Sequence, residues 1–181
     1  MSLANKISLC RILLVPCIVA TLVYYHPARD GLRYVSLSLF VVGILSDAVD
    51  GFIARSKNQQ SQLGTLLDPI ADKLLILSVF ISLSTIRGLP DWMRIPAWFN
   101  LIVISRDVLL VVGTMLIFGF SGKLAVKPTP LGKVTIVAQM LVVPVVLLQL
   151  PIKTTCLLLT AGLTVLSGIG YFRLGARLLS S

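Results

Sequence analysis

Six long apolar stretches, separated by short polar connections, take up most of this 181-residue chain. They fall at roughly 7–25, 33–54, 64–86, 95–118, 130–149 and 152–172. A helix needs about 20 mostly apolar residues to cross the hydrocarbon layer of a membrane, and each stretch is near that length. In lipid every backbone polar group must be paired within the protein, and a helix does this on its own. The chain is therefore predicted to be all-α, an integral membrane bundle of six transmembrane helices. Only 13% of its residues are charged, about half the share usual in a water-soluble domain. No repeat and no second domain is visible, so residues 1–181 read as a single membrane-embedded domain. The short lead-in to the first stretch, with no small-residue cleavage site after it, predicts a retained helix and not a cleaved signal.

The connections carry turn residues: Pro27 and Gly31, the polar run 57–62, Gly88-Leu89-Pro90-Asp91, and the basic run 122–130. Pro151 is read as the start of the last helix. The formal net charge is +9. Because the basic residues sit between apolar stretches, they point to anionic lipid or an anionic substrate and not to nucleic acid. Lys6, Arg11, Arg55, Lys57, Lys123, Lys127, Lys133, Arg173 and Arg177 fall on one side. Arg29, Arg33, Arg87, Arg94 and Lys153 fall on the other. The excess on the first side predicts that both termini and the 55–63 loop face the cytoplasm. Cys10, Cys17 and Cys156 all lie within apolar stretches and read as packing residues, not as a disulfide framework. His26 is the sole histidine, which excludes a metal site built on several histidines.

The acidic residues are few and unevenly placed. There are seven aspartates and no glutamate, and four of the seven lie between positions 47 and 72. On a helical wheel Asp47, Asp50, Gly51, Ala54 and Arg55 fall within one arc of about 140°. On the following helix Gly64, Asp68 and Asp72 share a stripe of about 80°. Two antiparallel helices joined by a short loop can turn these stripes toward each other. Four carboxylates brought together in a low dielectric repel one another, and each is costly to place in a membrane. Divalent cations relieve both costs, and an all-oxygen donor set selects Mg²⁺ or Mn²⁺ over Zn²⁺. Gly51, Ala54 and Gly64 leave room for close helix approach or for a flat nucleotide base. Arg55 is suited to phosphate oxygens. The competing readings are helix caps or ion pairs, and an ion-conducting path. The first does not account for four carboxylates on facing stripes. The second calls for a site near the midplane of the membrane, whereas these residues lie near one side.

The pattern D-x2-D-G-x2-A-R-x8-G-x3-D-x3-D, met by Asp47, Asp50, Gly51, Ala54, Arg55, Gly64, Asp68 and Asp72, resembles the signature of the CDP-alcohol phosphotransferase family. Eight fixed residues at fixed spacing make a specific motif, and the six stretches and small size match over nearly the whole chain. The resemblance implies a six-helix membrane fold that dimerises, with its active site open to the cytoplasm of a bacterium. It implies two metal ions held by Asp47, Asp50 and Asp68, with Asp72 as general base and possible further ligand. Asp50, Gly51, Ala54, Arg55 and Gly64 would line the CDP site. The implied reaction moves a phosphatidyl group from CDP-diacylglycerol to a small alcohol and releases CMP.

The acceptor rests on weaker similarities. Asn5, Ser8, Arg11 and the run to Pro16 resemble the first helix of the phosphatidylglycerophosphate synthase group. So do the segments 67–75 and 95–98 and the run Gly132-Lys133-Val134-Thr135. That group uses glycerol 3-phosphate, and Arg106, Lys127 and Lys133 are the candidates for its phosphate. Arg106 could equally pair with a neighbouring helix, and the two lysines could be ordinary cytoplasmic-side residues. Arg11 could face substrate phosphate or lipid headgroups. Lys73, beside Asp72, could simply neutralise the cluster. Arg106-Asp107 and Lys127-Pro128 also look like the family's cardiolipin synthases, which use phosphatidylglycerol. Inositol phosphate and serine are further alternatives.

Overall fold

A computed structural model describes the backbone over residues 3–57, 62–121 and 129–179, and most side chains within 9–46, 73–115 and 129–173. Six α-helices account for most of it: α1 (Leu3–Val23), α2 (Gly31–Lys57), α3 (Gln62–Thr85), α4 (Ala97–Ser121), α5 (Pro130–Leu147) and α6 (Lys153–Leu179). A short 3₁₀ turn, Pro27–Arg29, precedes α2. No strand occurs among the described residues. Each predicted stretch coincides with one helix. The ends differ where polar residues prolong a helix beyond its apolar part. Asn5 and Lys6 belong to α1, Arg55 to Lys57 belong to α2, and α6 runs on past Arg173. Pro151 lies in the turn before α6, which starts at Lys153.

Local chemistry sets several of these boundaries. His26 caps the 3₁₀ turn, its Nδ1 accepting from the Ala28 N–H at 3.2 Å. Thr129 caps α5, its Oγ1 accepting from the Gly132 N–H at 3.1 Å, with Pro130 following at a position that needs no donor. At the other end of α5, Gln149 takes φ 57°. The Leu150 N–H reaches the Val145 carbonyl and the Gln149 N–H reaches that of Val146. This double closure satisfies carbonyls that the helix leaves open.

The helices group into two compact units, Met1–Arg94 and Ile95–Ser181. In the first, α1 packs along both α2 and α3. Its core is Ile18, Leu22, Phe40, Leu75, Val79, Phe80 and Leu83. At the start of α2, buried Arg33 binds Asp30 at 2.7 Å and stacks over the rings of Tyr34 and Trp92. The Tyr25 hydroxyl donates to the same Asp30 at 3.1 Å. In the second unit α6 packs along both α4 and α5. Phe99, Val103, Val143, Val146, Leu157 and Ala161 fill its core.

The distribution of polarity is inverted relative to a water-soluble bundle. On α6 the buried positions include Thr160, Thr164 and Ser167, while Leu158, Leu159, Val165, Leu166, Ile169 and Phe172 are exposed. On α1 buried Arg11 shares a face with Ile18 and Leu22, while Leu9, Leu13 and Val23 are exposed. Water would penalise such outer faces heavily, whereas lipid solvates them without cost. Two helical segments, Pro130–Leu147 and Lys153–Arg173, are long and apolar enough among the described residues to cross a membrane. Leu9–Val23, Gly31–Ser46 and Lys73–Thr85 form shorter apolar helical segments. The cysteines are free, and Cys10 and Cys17 lie on the exposed side of α1, not in its packed seam.

Candidate active site

The motif occupies two consecutive helices, as its spacing requires. Asp47, Asp50, Gly51, Ala54 and Arg55 are on the last turns of α2, and Gly64, Asp68 and Asp72 on the first turns of α3. Only the connection 58–61 separates the two helices, so both stripes stand near one end of the first unit. The side chains of these eight residues lie outside the described residues. The three remaining aspartates each have an arginine beside them. Asp30 pairs with Arg33 at 2.7 Å, Asp91 with Arg94 at 3.6 Å and Asp107 with Arg106 at 2.9 Å. Each aspartate outside the motif thus has an arginine partner. Among the described residues no group of three potential metal ligands occurs.

In the second unit Arg106 is buried within a polar chain. Its Nη1 donates to Asp107 Oδ1 at 2.9 Å and its Nη2 to Ser167 Oγ on α6 at 3.0 Å. Its guanidinium lies 5.6 Å from the centre of the Tyr171 ring. Its Nε makes no hydrogen bond among the described residues. The Tyr171 hydroxyl in turn accepts from the Thr129 N–H at 3.0 Å, at the cap of α5. Tyr171 therefore links Arg106 to the turn that carries Lys133. Lys133 itself is exposed, and Lys127 lies outside the described residues. Between α5 and α6, Thr135 Oγ1 donates to the Leu163 carbonyl at 3.2 Å and Gln139 Nε2 to Thr164 Oγ1 at 3.4 Å. Such bonds contribute roughly 0.6 kcal/mol each inside a bilayer, so several are needed to hold a seam.

Ser167 and Tyr171 were not singled out by sequence, though their i, i+4 spacing puts them on one face of α6. The fit around Tyr171 is tight. A Cβ on Gly132 would stand 2.6 Å from the Tyr171 hydroxyl and 3.1 Å from its ring, whereas one on Gly162 would meet nothing within 4 Å. Gly132→Ala is therefore expected to push Tyr171 from both of its partners and destabilise the protein by about 1–3 kcal/mol. Gly162→Ala should leave stability unchanged or slightly raised. Thermal unfolding of the two variants in detergent checks the contrast.

Residues 1–166 match the family model described as CDP-alcohol phosphatidyltransferase. The chain belongs to this family. Among its relatives is a Bacillus subtilis protein named CDP-diacylglycerol--glycerol-3-phosphate 3-phosphatidyltransferase, 31% identical, with 94% of this chain and 93% of that one aligned. A Cereibacter sphaeroides protein of the same name is 29% identical over 81% of this chain and 63% of its own length. A Mycobacterium bovis protein named putative cardiolipin synthase is 33% identical over 82% and 65%. The alignments thus span less than two thirds of the Cereibacter and Mycobacterium relatives but nearly all of the Bacillus one. Family membership agrees with the resemblance carried by the eight-residue motif. It also agrees with the membrane character of the helices, whose apolar faces point outward.

Proposed function

We propose that the chain is a phospholipid-synthesising enzyme that transfers a phosphatidyl group from CDP-diacylglycerol to glycerol 3-phosphate. The products would be phosphatidylglycerophosphate and CMP. The observation that carries this reading is the complete motif on two adjoining helices of a chain that aligns over most of its length with the Bacillus relative. We place it in a bacterial cytoplasmic membrane as six spans, one per helix, with termini and aspartates on the cytoplasmic side and two copies forming a dimer. The outward apolar faces and the charge bias of the loops support the membrane placement.

Asp47, Asp50 and Asp68 would hold Mg²⁺ or Mn²⁺, two ions in all, with Asp72 as a possible fourth ligand. The all-carboxylate donor set fits such hard cations. Bound there, the metal would neutralise the pyrophosphate of the CDP-lipid. Gly51, Ala54 and Gly64 leave space for the cytidine, and Arg55 supplies charge for its phosphates. Asp72 accepts the proton of the acceptor hydroxyl. The acceptor oxygen forms a bond to the lipid-linked phosphorus. The bond from that phosphorus to the bridging oxygen breaks, and CMP departs with the electron pair. Arg106, Lys127 and Lys133 would receive the phosphate of the acceptor, which a neutral alcohol would not need.

Cardiolipin synthesis from phosphatidylglycerol is the second reading, favoured by Arg106-Asp107 and by the Mycobacterium relative. An acceptor screen decides between them. The purified chain, given CDP-diacylglycerol and Mg²⁺ or Mn²⁺, should release CMP with glycerol 3-phosphate. It should release none with phosphatidylglycerol, inositol phosphate or serine. Release with phosphatidylglycerol alone would transfer the assignment to cardiolipin synthesis. Failure to release CMP with any of the four acceptors would overturn the enzymatic reading.

A further inference from the structure

Three contacts fix how α1, α2 and α3 run past one another. Thr21 Oγ1 and Ser36 Oγ share a hydrogen bond of 2.7 Å. A Cβ on Gly43 would stand 3.8 Å from a Leu14 methyl and 2.6 Å from a Leu75 methyl. From Thr21 back to Leu14, and from Ser36 on to Gly43, the two helices advance residue for residue in opposite directions. They are antiparallel in constant register. Gly43 and Leu75 lie nearly equidistant from the 58–61 connection, as in the arms of an antiparallel hairpin. One turn further toward the start of α1, this register brings three positions level: Arg11 on α1, Ser46-Asp47 on α2 and Asp72 on α3.

Arg11 is 1% exposed. It shares the packed face of α1 with Ile18 and Leu22, while Leu9, Cys10, Leu13 and Cys17 look outward. That burial excludes a lipid-headgroup role. Long side chains on a helix lean toward its N-terminus. Along α1 this carries the guanidinium from the level of Asp47 and Asp72 toward that of Asp50 and Asp68. A guanidinium buried this deeply is very costly unless negative charge stands near it. Asp30, Asp91 and Asp107 have their own arginines. Asp47 and Asp72 of the motif are the aspartates whose positions on α2 and α3 come level with Arg11.

We propose that Arg11 is the built-in counter-cation of the aspartate cluster. It acts as a positioning residue that holds the carboxylates together when no metal is bound, and it weakens metal binding to a reversible level. The proposal rests on the reading of Asp47, Asp50 and Asp68 as metal ligands. Its electrostatic consequence has a sign that packing alone would not produce. A positive charge within about 10 Å of a divalent cation opposes its binding, and at a protein-like dielectric its removal tightens binding at least tenfold.

The test uses the full chain in detergent without substrate. Free Mn²⁺ is followed by electron paramagnetic resonance, and thermal unfolding is recorded with and without Mn²⁺. Arg11→Met should lower the Kd for Mn²⁺ by about tenfold or more. It should lower the Tm of the metal-free protein, with most of that loss restored by Mn²⁺. Arg11→Lys, which keeps the charge, should stay near the parent on both measures. If Arg11→Met does not survive without metal, it is purified in Mn²⁺ and its Kd read by chelator competition. Asp50→Asn separates the two levels of the argument. Loss of Mn²⁺ binding in Asp50→Asn, with an unchanged Kd and an equal Tm loss with and without Mn²⁺ in Arg11→Met, would overturn the role of Arg11 alone. Absence of Asp50-dependent Mn²⁺ binding in the parent protein would overturn the metal site, and this proposal with it.

Discussion

Asp50→Asn and Asp68→Asn are each expected to lower CMP release by at least about a thousandfold, equivalent to ~4 kcal/mol of transition-state stabilisation. Asparagine keeps the size and helix compatibility of aspartate but removes the charge, so the helical backbone of α2 and α3 should persist. The loss should appear in kcat and in the Mn²⁺ requirement together, because a ligand serves both. Asp72 should behave differently. If Asp72 acts mainly as the base, Asp72→Asn loses turnover while Mn²⁺ affinity stays within a few-fold. A parallel fall in affinity would make it a ligand. Measuring rate and Mn²⁺ binding on the same preparations checks all three residues. Retention of a near-parental rate in Asp50→Asn or Asp68→Asn would refute the site.

Arg106→Ala carries the second large effect, and the structure makes it a double one. Arg106 is bonded to Asp107 and Ser167 and stacked on Tyr171. Breaking a buried charge pair from one side typically costs about 3–5 kcal/mol, so a marked fall in Tm is expected. If Arg106 also receives the acceptor phosphate, the KM for glycerol 3-phosphate should rise about tenfold or more while the KM for CDP-diacylglycerol changes little. Arg106→Lys keeps a charge but not the fork that reaches Asp107 and Ser167 together. It should recover part of the KM and little of the stability. A fall in Tm with an unchanged KM for glycerol 3-phosphate would leave Arg106 as a helix-packing residue only.

The helices were legible because apolar length is a strong signal. The helix ends were not, because Arg55, Ser56 and Lys57 are polar yet prolong α2. The motif was legible because its spacing matches the helical repeat and because carboxylates are scarce elsewhere. The surroundings of Arg106 were hidden for a different reason. Its partner Ser167 lies 61 positions away, and a lone serine in an apolar stretch does not announce which way it faces. Arg11 shows the same limit. Sequence left it between substrate and lipid headgroup, and only the burial pattern along α1, with Gly43 close to Leu14 and Leu75, sets its level. Helical periodicity in lipid marks polar residues as inward, but it does not say what they meet.

The inverted polarity of the helices has a practical consequence for altering the protein. Leu158, Leu159, Val165, Leu166, Ile169 and Phe172 need only remain apolar, since liquid hydrocarbon imposes no shape on them. Thr160, Thr164 and Ser167, two or three atoms beyond the backbone, are buried, and Thr164 and Ser167 meet Gln139 and Arg106. A saturation library across α6 should therefore tolerate almost any oily residue on one side and almost none on the other. The roles of bland and demanding positions are exchanged relative to an enzyme dissolved in water. A version made for use without detergent would have to be recoated on the tolerant side alone.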